Sequence, residues 1–147
     1  MNAEKLYQEN ILDHYRHPHS FGTLEHAGVR GNFINPLCGD ELTVELEIAD
    51  GKVKKAAFTG KGCAISVASA SMLLETLPGK SVEDVDKICS RDVLDLLGID
   101  VGPTRIKCAM VVLDCLRRAM SAYEQGQFAG KGLNSVPRGR TSKAKAI

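Results

Sequence analysis

The sequence predicts an α+β fold, a small antiparallel sheet of about three strands packed against several helices. Three observations carry this expectation. Apolar and polar residues alternate from Glu41 to Ile48, with Leu42, Val44, Leu46 and Ile48 set against Thr43, Glu45 and Glu47. The pair Asp50-Gly51 joins that stretch to the next apolar run, and glycine there accepts the positive φ that a two-residue hairpin turn demands. On both sides of this region apolar groups recur at three- and four-residue spacing, the period of a helix with one buried face. At 147 residues one core suffices, since a chain of this size buries about 68–70% of its unfolded surface.

Leu6, Tyr7, Ile11, Leu12 and Tyr15 give the first amphipathic helix, Ala3 to Tyr15, which His17-Pro18 brings to an end because the residue before proline disfavours helical geometry. Pro18, Ser20, Gly22 and Gly28 mark a loop. Strands are expected over Val29 to Ile34, Glu41 to Ile48 and Val53 to Phe58. Residues 63 to 77 carry many small groups, which let a helix lie close to a sheet, and Leu77-Pro78-Gly79 stops it. Ser81 precedes Glu83 and Asp84 as an N-cap before a first-turn pair of acids, opening a short helix to about Cys89. A second short helix spans Arg91 to Leu97. After the connector Gly98 to Pro103, a long amphipathic helix runs from about Thr104 to Glu124, and Gly126 ends it.

The domain is therefore expected over residues 1–125, followed by a flexible basic tail over 126–147 that is poor in apolar residues. The tail holds five Lys/Arg and no acid, so the net charge of +1 divides into about −4 on the body and +5 on the tail. Only Phe128 is available there for base stacking, and nucleic-acid binding is not expected. No apolar run approaches the ~20 residues a membrane helix needs, and Met1-Asn2-Ala3-Glu4-Lys5 does not read as a secretory signal. The cytoplasm is the expected compartment, and its reducing conditions turn five cysteines toward metal binding or thiol chemistry rather than a disulfide framework.

Three of those cysteines lie in distinctive surroundings. Cys38 stands two residues before Asp40 in the turn Asn35-Pro36-Leu37-Cys38-Gly39-Asp40, whose glycine lets the backbone approach a ligand closely. Cys63 and Cys108 each stand where a helix is expected to begin, near free backbone N–H groups, with Lys61, Arg105 and Lys107 close by in sequence. Three thiols and one carboxylate make a candidate metal site. Thiolates suit Zn²⁺ or iron–sulfur units, and Asp40, which otherwise reads as a turn cap, offers a harder oxygen donor. Four anionic ligands around a divalent centre leave net −2, which the three cations offset. The intervals of 25 and 45 residues match no compact metal knuckle.

The local motifs are more specific. Asn-Pro-x-Cys-Gly-Asp, Gly-x-Gly-Cys-Ala-Ile-Ser and Arg-Ile-Lys-Cys, in this order, resemble the U-type iron–sulfur assembly proteins, the IscU, NifU and SufU group, over roughly residues 4 to 125. Leu6-Tyr7-Gln8 through Asp13-His14-Tyr15-Arg16-His17-Pro18 is similar to the start of the SufU branch. The resemblance implies a compact α+β fold with the three thiols gathered at one end. It implies a pyridoxal-phosphate cysteine desulfurase as partner, which passes persulfide sulfur to a thiol, and apo-proteins as cluster acceptors. By motif match Cys38, Asp40, Cys63 and Cys108 take the ligand roles, and Cys38 and Cys108 are the candidate persulfide acceptors.

The expected function is thus a scaffold that accepts persulfide sulfur and assembles and transfers a labile 2Fe-2S cluster. The alternative is a zinc-dependent sulfurtransferase of SufU type, holding Zn²⁺ and relaying sulfur. A structural zinc-binding interaction module is the rival from another class, and no His lies in sequence beside a nucleophile as a cysteine hydrolase would suggest. Lys107 stands where IscU-like members have histidine, which is the SufU pattern, yet the interval between Cys63 and Cys108 lacks the insertion typical of that branch. Val101-Gly102-Pro103-Thr104 replaces the motif that IscU-like members offer to a chaperone. Cys115 and Cys89 are expected in the core, and His14, His17 and His19 at a surface or partner contact.

Overall fold

A computed structural model of the chain describes residues 3–37 and 39–126. Cys38 and the basic tail beyond Gly126 lie outside the described residues. The elements are α1 (Ala3–Arg16), β1 (Val29–Ile34), β2 (Glu41–Ala49), β3 (Lys52–Lys61), α2 (Ala64–Leu74), α3 (Val82–Asp86), α4 (Ser90–Leu97), α5 (Gly102–Ala109) and α6 (Val111–Glu124). The α+β class expected from the sequence is what they form, with one antiparallel sheet in the order β1-β2-β3.

Alternation on β2 buries Leu42, Val44 and Leu46 completely. Glu45, expected on the wet face, is also buried, and it is satisfied there. Its carboxylate accepts from the Leu24 N–H at 2.7 Å and pairs with the Arg30 guanidinium at 2.9 Å. The β2–β3 hairpin closes through Asp50 and Gly51, both at positive φ (57° and 73°), as the sequence predicted. The predicted loop before β1 holds a one-residue parallel bridge, Phe21 to Phe58, with the two rings edge to face at 5.2 Å.

Helices α2 and α6 supply the other half of the core. Ile65 to Leu74 of α2 are all buried, and two of the three serines among them return their hydroxyls to nearby backbone: Ser66 Oγ donates to the Cys63 carbonyl and Ser69 Oγ to that of Ser66, each at 3.0 Å. Helix α6 crosses β1 where Gly31 leaves room. A Cβ at that position would stand 2.0 Å from the Cys115 carbonyl oxygen and 2.5 Å from the Ala119 nitrogen. Ser81 caps α3 as expected, accepting from the Asp84 N–H at 3.1 Å.

Three further expectations need correction. The long helix predicted from Thr104 to Glu124 is two helices, α5 and α6, sharing Met110 as the end of one and the start of the other. Met110 keeps right-handed helical angles (φ −87°, ψ −7°), so apolar periodicity carries no mark of the interruption. Cys89 is exposed rather than in the core, because it takes the N-cap position of α4, where its N–H is met by the Asp92 carboxylate at 2.9 Å. His14 is buried rather than on the surface, since the face of α1 that carries it packs on α2, and its Nδ1 lies 2.7 Å from Ser71 Oγ. Burial, and then the neighbouring His19, lowers the His14 imidazole below its ordinary value, against the opposing pull of Glu75 and Asp13.

Cys115 is in the core as expected, its thiol donating to the Leu42 carbonyl at 3.2 Å. Burial first, then the Asp114 carboxylate, pushes it from 9.0 up to about 12. In the unfolded chain it ionises near 9.0, so above that pH the unfolded state releases a proton that the native state keeps. The stabilisation is therefore whole below pH 9.0 and drains away as pH rises toward about 12, at close to 1.4 kcal/mol per pH unit. Urea midpoints measured from pH 8 upward are expected to fall more steeply for the wild type than for Cys115→Ala. Equal slopes would refute this.

Candidate metal centre

The loop between β1 and β2 is built by Asn35. Its side-chain oxygen accepts from the Leu37 N–H at 3.0 Å, an Asx turn, and its backbone N–H donates to the Asp40 carbonyl at 2.7 Å. Gly39, at φ 79°, closes the turn by donating to the Asn35 carbonyl at 2.7 Å. This geometry carries the Asp40 carboxylate inward, where it is buried and accepts from the Cys63 N–H at 3.2 Å.

Cys63 is the N-cap of α2, as predicted, with extended backbone angles and no hydrogen bond from its side chain to the helix. Gly62 keeps this junction narrow. A Cβ there would lie 2.1 Å from Ser66 Oγ and 3.1 Å from the Asp40 carboxyl carbon. Cys108 arrives from the other side, in the last turn of the eight-residue α5 rather than the first turn of a long helix. Cys63 therefore stands at a helix start, as expected, whereas Cys108 does not, and there the neighbouring side-chain cations have to supply the compensating charge.

Asp40, Cys63 and Cys108 converge. Their ligand atoms all lie within 4.8 Å of one another, with Asp40 and Cys108 buried and Cys63 half-buried. Sulfurs bound to a common Zn²⁺ at ~2.3 Å stand about 4 Å apart, so this spacing suits one ion or one small cluster with little rearrangement. The trio borders a cavity of about 800 Å³ that is also lined by Lys61, Arg105 and Lys107, the three cations the sequence singled out. Leu37 and Gly39, the two chain neighbours of Cys38, line the same cavity. Two thiols and a carboxylate form a mixed soft and hard donor set that fits zinc or iron–sulfur chemistry, and the surrounding cations counter its negative charge.

The family described as NifU-like N terminal domain matches residues 6–129, most of the chain. The chain belongs to the NifU-like family. Curated relatives of this NifU-like chain include "Iron-sulfur cluster assembly scaffold protein IscU 1" of Archaeoglobus fulgidus, 32% identical over 118 residues, which are 80% of this chain and 76% of that protein. Another is "Zinc-dependent sulfurtransferase SufU" of Bacillus subtilis, 32% identical over 142 residues, covering 85% of this chain and 96% of the relative. Among solved structures, one of a hypothetical protein superimposes with a TM-score of 0.65 at 29% identity, over 80% of this chain and 98% of the other. A structure from Fervidobacterium islandicum described as "Putative iron-sulfur cluster assembly scaffold protein for SUF system" shares the fold at a TM-score of 0.60 and 23% identity, over 81% of this chain and 99% of its own. No helix among the described residues of the NifU-like chain is long and apolar enough to cross a membrane.

Proposed function

We propose that this chain is a cytoplasmic iron–sulfur assembly scaffold that takes persulfide sulfur from a cysteine desulfurase and assembles a labile 2Fe-2S unit for apo-protein acceptors. The observation that carries this reading is the convergence of Asp40, Cys63 and Cys108 at one cation-lined cavity, with the neighbours of Cys38 on its wall. Cys38 is then the remaining donor. A closed structural zinc site has no use for an open volume of about 800 Å³ at its ligands, whereas a site that receives and releases cargo needs one.

Sulfur delivery is thiol–disulfide exchange. An acceptor thiolate, Cys38 or Cys108, attacks the outer sulfur of the donor persulfide. The new S–S bond forms as the old one breaks, the donor cysteine leaves as thiolate, and no net oxidation occurs. Lys61, Arg105 and Lys107 are placed to balance the anionic sulfurs gathered there. Cys108 is buried and lines the cavity.

A second reading, a zinc-dependent sulfur relay, is favoured by Lys107 immediately before Cys108 and by the similarity to a relative that carries that description. In it the same four residues hold Zn²⁺, which orders the loop and supplies a Lewis-acidic centre. One experiment separates the two. The chain is purified anaerobically, its zinc, iron and labile sulfide are measured, and a cysteine desulfurase, cysteine, iron and a dithiol reductant, which supplies the two electrons that turn each persulfide sulfur into sulfide, are added. Growth of cluster absorbance supports the scaffold, and stimulated sulfide release with zinc retained supports the relay. Neither response would end both readings.

Asp40 sets how firmly cargo is held. A carboxylate binds a soft centre less well than a thiolate, so Asp40→Cys is expected to slow transfer of the cluster to an apo-ferredoxin roughly tenfold, equivalent to about 1.4 kcal/mol of extra retention. Transfer at the wild-type rate would refute the assignment of Asp40 as a ligand.

A further inference from the structure

A second group of metal-ligating side chains lies at the other end of α2. His14 of α1, His19 of the following loop and Glu75, the C-cap residue of α2, bring one ligand atom each to within 4.8 Å of one another. The two imidazole rings stand 4.4 Å apart between centroids, and the Glu75 carboxylate contacts His19 Nδ1. Cys63 caps the opposite end of the same helix, so twelve residues of helical rise, about 18 Å, separate this group from the cysteine cavity.

We propose that His14, His19 and Glu75 form a second divalent-cation site, of imidazole–carboxylate type, for a borderline transition metal such as Zn²⁺. Two neutral imidazoles and one carboxylate make a three-residue donor set in which zinc keeps a further position for water. The supporting contacts are already in place. Ser71 Oγ accepts from the His19 backbone N–H at 2.7 Å and lies 2.7 Å from His14 Nδ1. A cation selects the tautomer in which His14 Nδ1–H donates to that oxygen, leaving Nε2 with its lone pair free to bind. One serine thereby orients both histidine segments from the last turn of the buried helix. The C-terminal end of α2 adds negative partial charge beside the site, which favours a cation. His19 and Glu75 are half exposed, so the pair opens by side-chain rotation to admit the ion. Bound there, it would link α1 and its loop to α2.

The inference is independent of the reading of the cysteine cavity. Its test uses the full chain titrated with Co²⁺ and, in competition with a chromophoric chelator, with Zn²⁺. Thiolate-to-cobalt charge transfer reports the cysteine cavity and is silent at an imidazole–carboxylate site. Wild-type chain is expected to bind one equivalent of metal that adds no thiolate signal. Binding of that equivalent weakens by at least roughly 10–100-fold in His19→Ala and in Glu75→Gln, and is unchanged in His17→Ala. His19 and Glu75 are both substantially exposed, so neither replacement threatens the fold, and circular dichroism checks this. Equal stoichiometry and affinity in wild type and His19→Ala would overturn the proposal, as would loss of the equivalent in His17→Ala alone.

Discussion

Serine at Cys63 or at Cys108 is expected to abolish cluster assembly and to weaken Zn²⁺ binding by more than about 100-fold, since loss of a ligand exceeds the 10–100-fold typical of losing a group that only supports one. Serine is nearly isosteric but offers a hard hydroxyl where a soft thiolate is needed. The two variants differ in stability, and the difference separates chemistry from folding. Cys63 is an N-cap with no side-chain bond to its helix, so serine there can accept a first-turn N–H and leave stability intact or improved. Cys108 is buried, and its serine variant loses roughly 1–3 kcal/mol by burying a hydroxyl. Cys89→Ser serves as the control, because that thiol is exposed and caps α4 outside the cavity. Chelator competition for zinc and absorbance for cluster growth provide the readouts. Wild-type metal affinity in both variants would remove these cysteines from the site.

Alanine at Gly31 is expected to be the most damaging single methyl addition in the core. Its Cβ would meet backbone atoms of α6 at 2.0 and 2.5 Å, and backbone cannot rotate aside as a side chain can. Relief requires α6 to lift from β1, which exposes the buried faces of Cys115, Leu116 and Ala119. Overpacking ordinarily costs about 1–3 kcal/mol, and here the upper end or beyond is expected, a fall in Tm of roughly 10 °C. Thermal unfolding followed by circular dichroism measures it. A Tm within a degree or two of wild type would show that α6 does not cross β1 so closely.

The sheet was legible because its signals are local. Leu42, Val44 and Leu46 alternate, and Asp50-Gly51 can make only a few kinds of turn. Ser81 was legible for the same reason, since a cap acts within one helical turn. What escaped depends on distant partners. Met110 breaks the long helix without leaving helical angles. His14 reads as one of three surface histidines, and only the packing of α1 on α2 buries it beside His19 and Ser71. Cys89 reads as apolar in a periodicity count, yet it serves as an N-cap. At the candidate metal centre, motif resemblance brought Asp40, Cys63 and Cys108 into one expectation, and their ligand atoms lie within 4.8 Å of one another. The same resemblance named Cys38, which lies outside the described residues, and its part in the site rests on the proposal.

Helix α2 is sealed on every side from Ile65 to Leu74, with the Ser66 and Ser69 hydroxyls turned back onto nearby carbonyls and Ser71 Oγ met by His14 and His19. Such a segment has no partial route to solvent, so its amides exchange with deuterium only when the domain opens as a whole. The slowest protons in the molecule should therefore lie between the two ligand clusters, and a cation bound at either end would retard them all together.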